Sequence, residues 1–82
     1  MYVARVRIEL KKGVSDPEGS NTLKALHLLG FTDVDRVSTE RIIRLRVSAP
    51  DAASARSTAE RACRRLLTNP VIHDFSIEVE SA

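Results

Sequence analysis

The residues able to do chemistry in this chain are few: Cys63, His27, His73, an arginine group at Arg56, Arg61, Arg64 and Arg65, and the segment Gly13-Val14-Ser15-Asp16-Pro17-Glu18-Gly19. A nucleophilic thiol needs exposure and an electropositive setting. Cys63 has Arg64 and Arg65 beside it, yet it falls in an apolar helical stripe and reads as a core residue. The two histidines are isolated, which argues for ordinary boundary positions over acid/base or ligand roles. The arginines suit phosphates or a partner's carboxylates, or simply form a solvated helix face. No GxSxG, phosphate loop, HExxH or CxxC is present. No catalytic, cofactor-binding or metal-ligating residue is assigned.

The glycine-bearing segment reads as a turn followed by a helix start, with Asp16 as N-cap, Pro17 at the first helical position and Glu18 facing the positive dipole end. Gly19 does not fit that reading, because glycine in a first turn costs roughly 0.5–1 kcal/mol relative to alanine. Its presence implies that another backbone or a ligand comes close.

These residues must be held by a small fold. A chain of 82 residues is read as one domain spanning 1–82, with limited capacity to bury a core. It is 43% hydrophobic and 29% charged with a net charge of +2, the composition of an ordinary folded protein. The single cysteine excludes an internal disulfide, no apolar run approaches a membrane span, and the N-terminal residues lack a signal-peptide layout. The expectation is a cytoplasmic protein without a membrane partner.

Tyr2 to Leu10 alternates as a half-buried strand. The helix opened by Asp16 should reach about Leu29, with Leu23, Leu26 and Leu29 as its buried stripe and Gly30 in a left-handed closing position. Val34 to Ser38 is a weaker strand candidate, joined by a Thr39-Glu40-Arg41 turn to a strand containing Ile43, Leu45 and Val47. Asp51 caps a second helix whose stripe is Ala52, Ala55, Ala59, Ala62, Cys63 and Leu66, and Asn69-Pro70 stops it. Phase alternation from Asp74 to Glu80 makes a last strand.

The order βαββαβ predicts an α+β, ferredoxin-like fold: a four-stranded antiparallel sheet in order 4-1-3-2 with both helices on one face. The open face then carries arginines of the first and third strands side by side, with the acidic last strand next to the first. That arrangement invites acidic groups from a partner.

Two stretches carry a family resemblance. Val14-Ser15-Asp16-Pro17-Glu18-Gly19 followed by Ala25-Leu26-His27-Leu28-Leu29-Gly30-Phe31 resembles the first-helix motifs of PurS proteins, the small subunits of phosphoribosylformylglycinamidine synthase. Cys63 through Phe75, containing Leu66-Leu67-Thr68-Asn69-Pro70-Val71-Ile72, resembles the family's segment between second helix and last strand. Phe75 stands where the family often has Tyr, and Ser38-Thr39-Glu40-Arg41 replaces its usual hairpin.

The resemblance implies a non-catalytic subunit of the purine-biosynthesis ligase that converts formylglycinamide ribonucleotide to formylglycinamidine ribonucleotide with ammonia from glutamine. It implies a homodimer or homotetramer that bridges a large PurL-type synthetase subunit, holding ATP and magnesium, and a PurQ-type glutaminase subunit. Asp16, Pro17, Gly19, Asn69 and Pro70, at helix ends, are the candidate partner contacts. Two other readings share the topology. An ACT-like regulatory domain would bind an amino acid near Gly13 and Gly19. An RNA-binding domain needs exposed aromatics where this chain has Arg5, Arg7, Arg44 and Arg46, so no nucleic-acid partner is expected.

Overall fold

The computed structural model describes all of residues 1–82. In chain order it contains β1 (Tyr2–Leu10), α1 (Pro17–Leu28), β2 (Glu40–Val47), α2 (Ala52–Ala62), one π-helical turn (Cys63–Leu67) and β3 (His73–Ser81). The strands form one antiparallel sheet in the order β2-β1-β3.

The four-stranded expectation is therefore corrected: the sheet has three strands, and Val34–Ser38 is not one of them. The three that form keep the expected neighbours, with the first strand central. A tight hairpin before β2 would need residues at positive φ. Only Gly13 (φ 87°) and Gly30 (φ 97°) adopt it, and neither lies near Thr39. Glu40 and Arg41, read as a turn, instead begin β2 opposite Glu9 and Ile8.

The placement of both helices on one face is also corrected, because the helix–sheet packing is made mainly by α2. Buried alanines explain why α2 docks: Ala55 and Ala59 are fully buried and let the helix backbone approach the strands closely. Val6, Ile8 and Cys63 form the core beneath it, flanked by Ile43, Leu45, Leu67, Phe75 and Ile77. Leu66, assigned to the stripe, is 83% exposed. The π turn, closed by the Thr68 N–H donating to the Cys63 carbonyl at 2.9 Å, delays the inward face by one residue, so Leu67 packs instead.

Helix α1 has well-formed ends. The Asp16 side chain accepts from the Gly19 amide, and at the other end Phe31 N–H donates to Leu26 O and Gly30 N–H to His27 O, the paired bonds of a Schellman motif. Of its expected stripe Leu23 and Leu26 are half-buried and Leu29 is 74% exposed, with Leu28 beside it 88% exposed. Together α1 and the returning residues 31–39 make an arm beyond the end of the sheet. The molecule spans 52 × 27 × 14 Å, with a radius of gyration of 16.4 Å where about 12 Å suits a compact chain of this length.

The open sheet face has the anticipated charge layout. Arg5 lies between Arg44 on β2 and Glu78 on β3. One ion pair there, Arg7 Nε to Glu40 Oε2 at 3.8 Å, is half exposed, and such pairs contribute about 0–1 kcal/mol.

Candidate docking site at the foot of the arm

Asp16 is the joint between arm and sheet. Its carboxylate accepts the Gly19 amide at 2.9 Å, the Thr39 amide at 2.8 Å and the Thr39 hydroxyl at 3.0 Å. One side chain thus caps α1 and pins the residue that leads into β2. Pro17 follows at the first helical position, where a missing N–H costs nothing, and is exposed.

Gly19 is buried because the chain itself comes close. A Cβ at this position would run into the Val37 carbonyl oxygen and lie 2.9 Å from Asp16 Oδ2. Of the two explanations offered for this glycine, the approaching backbone is its own. His27 adds a second tie, with its Nε2 2.6 Å from the Val34 carbonyl oxygen. That contact makes the ring a structural donor.

The bonds to Gly19 and then Thr39 hold the Asp16 carboxyl below its ordinary value, against a smaller opposing effect of desolvation. A depressed folded-state pKa gives stability that is present above the unfolded value and lost as pH falls through the folded one. Asp16→Asn keeps a capping acceptor but does not titrate. Wild type should therefore lose its stability advantage over this variant on acidification below the ordinary aspartate range, as read by urea midpoints at neutral and strongly acid pH. An advantage that stays constant would contradict the assignment.

Asn69 and Pro70 build the turn into β3. The Asn69 carbonyl accepts from His73 N–H at 2.8 Å and Ile72 N–H at 3.0 Å, its side-chain oxygen accepts from Val71 N–H at 3.0 Å, and its own N–H donates to His73 Nδ1 at 2.9 Å. His73 thereby carries its proton on Nε2. Asn69, Pro70 and Val71 are exposed, Val71 at 78%.

Both groups sit at the same end of the sheet without touching. Asp16 and Pro17 line a cleft of about 370 Å³ with Leu67 and His73. Pro70 lines a second cleft, about 510 Å³, with Lys11, Arg64, His73 and Phe75. His73 is the residue common to the two. Lys11 Nζ meets Asp74 Oδ1 at 2.7 Å, and the Arg64 guanidinium lies 5.8 Å from the Phe75 ring centroid, so the second cleft is edged by held cations. A third and larger cleft, about 780 Å³, opens between the β1–α1 loop and residues 35–40.

Asp16, Pro17 and Gly19, grouped from the sequence, lie together in the structure with Thr39 and Val37, which the sequence did not point to, and His73 lines the same cleft as Asp16 and Pro17. A carboxylate with a spare oxygen after capping is a signal that a second donor is near, yet nothing in the sequence says which. Arg56, read with the solvated arginines, donates to the Ile77 carbonyl at 2.9 Å and covers part of the β3 edge.

No group of three or more His, Cys, Asp or Glu is placed to hold a metal ion. Burial pushes the Cys63 thiol up, outweighing Arg64, so it is not an activated nucleophile. No helix is long and apolar enough to cross a membrane. The arrangement offers exposed, backbone-specialised surfaces at one end of a sheet.

Comparison with known proteins agrees with the motifs. Residues 3–81 match the family model PurS, phosphoribosylformylglycinamidine (FGAM) synthase. The chain is similar to the phosphoribosylformylglycinamidine synthase subunit PurS of Archaeoglobus fulgidus, at 49% identity over 92% of this chain and 94% of that one. It resembles the crystal structure of Methanocaldococcus jannaschii PurS with a TM-score of 0.90 at 43% identity, covering 100% of this chain and 99% of that one. Bacillus subtilis PurS gives 0.88 at 33% identity, covering 99% and 100%. With motifs, family model and near full-length relatives in agreement, the chain belongs to the PurS family of phosphoribosylformylglycinamidine synthase subunits.

Proposed function

We propose that this chain is the non-catalytic small subunit of a phosphoribosylformylglycinamidine synthase in purine biosynthesis. It works as a homo-oligomer that bridges a large synthetase subunit and a glutaminase subunit and supports ammonia transfer between them. ATP and magnesium belong to the large subunit, and the assembly is cytoplasmic. The observation that carries this reading is family membership over residues 3–81. The M. jannaschii relative is described as one of the subunits of formylglycinamide ribonucleotide amidotransferase.

Docking is assigned to the foot of the arm and the turn into β3. Pro17, Asn69 and Pro70 present exposed surface, Asp16 sets the angle between arm and sheet, and Gly19 lets the arm close on Val37. The close approach at Gly19 is filled by the chain itself, so of the two glycines named for an amino-acid ligand only Gly13 faces open space.

Assembly tests this directly. Purified large and glutaminase subunits, mixed with glutamine, ATP and magnesium, should form a stable complex on gel filtration only when this chain is added. Equal association of the two in its absence would overturn the bridging role.

A further inference from the structure

The sheet has one face packed against α2 and one face left largely exposed, and the arginines of the strands gather on the exposed face. In register, Arg46, Val3 and Glu80 form one cross-strand row, Arg44, Arg5 and Glu78 the next, and Ile42, Arg7 and Ser76 the third. Glu40, Glu9 and Asp74 close the face at the end nearest the arm. Four guanidinium groups thus share a patch on β2 and β1, bounded by carboxylates along β3 and at one end.

Backbone pairing sets the closest neighbours. The Lys11 amide donates to Ile72 O at 2.8 Å and the Ala82 amide to Met1 O at 3.1 Å, both extensions of the β1–β3 ladder. Odd-numbered residues of β1 therefore bond to β3, which makes Arg5 and Glu78 a hydrogen-bonded pair and Arg5 and Arg44 a non-hydrogen-bonded one. Side chains lie closer in the second kind, with Cα atoms about 4.5 Å apart against about 5.5 Å in the first. The nearest cross-strand neighbour of Arg5 is thus another arginine. Like charges placed directly opposite are destabilising.

Nothing within the chain relieves them. Its three ion pairs leave out Arg5, Arg44 and Arg46, and of the four only Arg7 reaches a carboxylate, that of Glu40. The guanidinium groups that donate hydrogen bonds within the chain belong to Arg56 and Arg61. A shallow cleft of about 350 Å³ on this face is lined by Arg5, Arg7, Ile42 and Ser76 and edged by Glu40 and Glu78. Ile42 adds an apolar contact, at 47% exposure.

This pattern selects its occupant. A continuous polyanion crossing the face would meet Glu78, Glu80, Glu9 and Asp74, and would find no aromatic side chain on which to stack bases. A protein surface with separate carboxylates over the arginines and neutral or basic groups over the glutamates fits both halves. Arginine binds carboxylates bidentately and is enriched at protein interfaces. The rows of Arg44 and Arg46 lie four and six residues along β1 from Glu9, about 13–20 Å from the arm end of the sheet. A bridging subunit needs two separate docking surfaces, and the foot of the arm supplies one.

We infer that the arginine patch of the open sheet face is the other: a docking surface for a carboxylate-bearing face of one partner subunit, distinct from the subunit held at the foot of the arm. The inference rests on the adaptor reading and adds the chemistry of its second contact.

The test measures binding of the full chain to each purified partner subunit by titration calorimetry, with glutamine, ATP and magnesium present. Arg44→Glu with Arg46→Glu reverses the patch, and Arg61→Glu with Arg65→Glu makes the same charge change at exposed positions outside the sheet. The first pair should weaken association with one subunit at least about 100-fold and leave the other within about three-fold. Added salt should weaken the wild-type contact more than the residual one. The second pair should leave both contacts unchanged. Light scattering should give the patch variant the wild-type mass, and thermal unfolding should find it no less stable, since reversal at position 44 removes the like-charge pair with Arg5. Wild-type binding of both subunits by the patch variant, or a change in its own mass, would overturn the inference while the adaptor reading stands. If neither subunit binds the wild-type chain, the adaptor reading fails and the inference with it.

Discussion

Gly19→Ala should lower stability by about 1–3 kcal/mol, the usual cost of forcing an extra carbon into a filled site. In an open helix the same change helps by up to about 1 kcal/mol, because glycine carries a larger entropic cost than alanine. Here the sign reverses, since the new Cβ has the Val37 carbonyl oxygen and the Asp16 carboxylate in its way. Neither can yield freely: Val37 is backbone, and Asp16 is committed to Gly19 and Thr39. The arm must either shift away from residues 37–39 or give up those bonds. Thermal unfolding should register a drop of about 4–8 °C per kcal/mol for a chain of this size. Lys24→Ala, exposed on the same helix, is the control and should be near neutral. A Gly19→Ala protein as stable as wild type would mean the close approach does not exist in solution.

Ile8→Ala should be more damaging still, with a loss of about 2–5 kcal/mol. Ile8 is 5% exposed on the central strand and belongs to the core with Val6 and Cys63. Chains of this length have about 4–12 kcal/mol in total, so one truncation consumes much of the margin. The core consists of few residues, and α2 is held to the sheet mainly by them. Urea unfolding should show a midpoint shifted far down or a chain already unfolded, whereas Val3→Ala on the open face should cost under about 1 kcal/mol. A loss below 1 kcal/mol at Ile8 would contradict the placement of the core.

The residues that announce these features differ in how openly they do so. β1, β2 and β3 were readable because alternation over eight or nine residues has one physical meaning, a half-buried strand. Both helix starts were readable because Asp16 and Asp51 cap by local geometry, each accepting the amide three residues on. The failures have other causes. Val34–Ser38 has valines three apart, a spacing that neither alternates nor forms a full helical stripe, and only the absent turn chemistry before β2 argued against a hairpin.

The leucine stripe of α1 was read correctly as apolar, and Leu23 and Leu26 are half-buried, but Leu29 at its end is exposed. Periodicity tells which side of a helix seeks an apolar surface but not on which molecule that surface lies. Leu66 and Leu67 show the same limit at short range, since a single π turn exchanges which of two adjacent leucines faces inward. Gly19 was legible as an anomaly, and its cause, Val37 of the same chain, lies 18 residues away where no local rule reaches.

The adaptor role is tested most directly by glutamine-dependent formation of formylglycinamidine ribonucleotide, using purified large and glutaminase subunits from one source with ATP and magnesium. Free ammonia replaces glutamine in a parallel series. The account predicts that omitting this chain abolishes the glutamine-dependent rate while the ammonia-dependent rate of the large subunit persists. Full glutamine-dependent activity without this chain would contradict it.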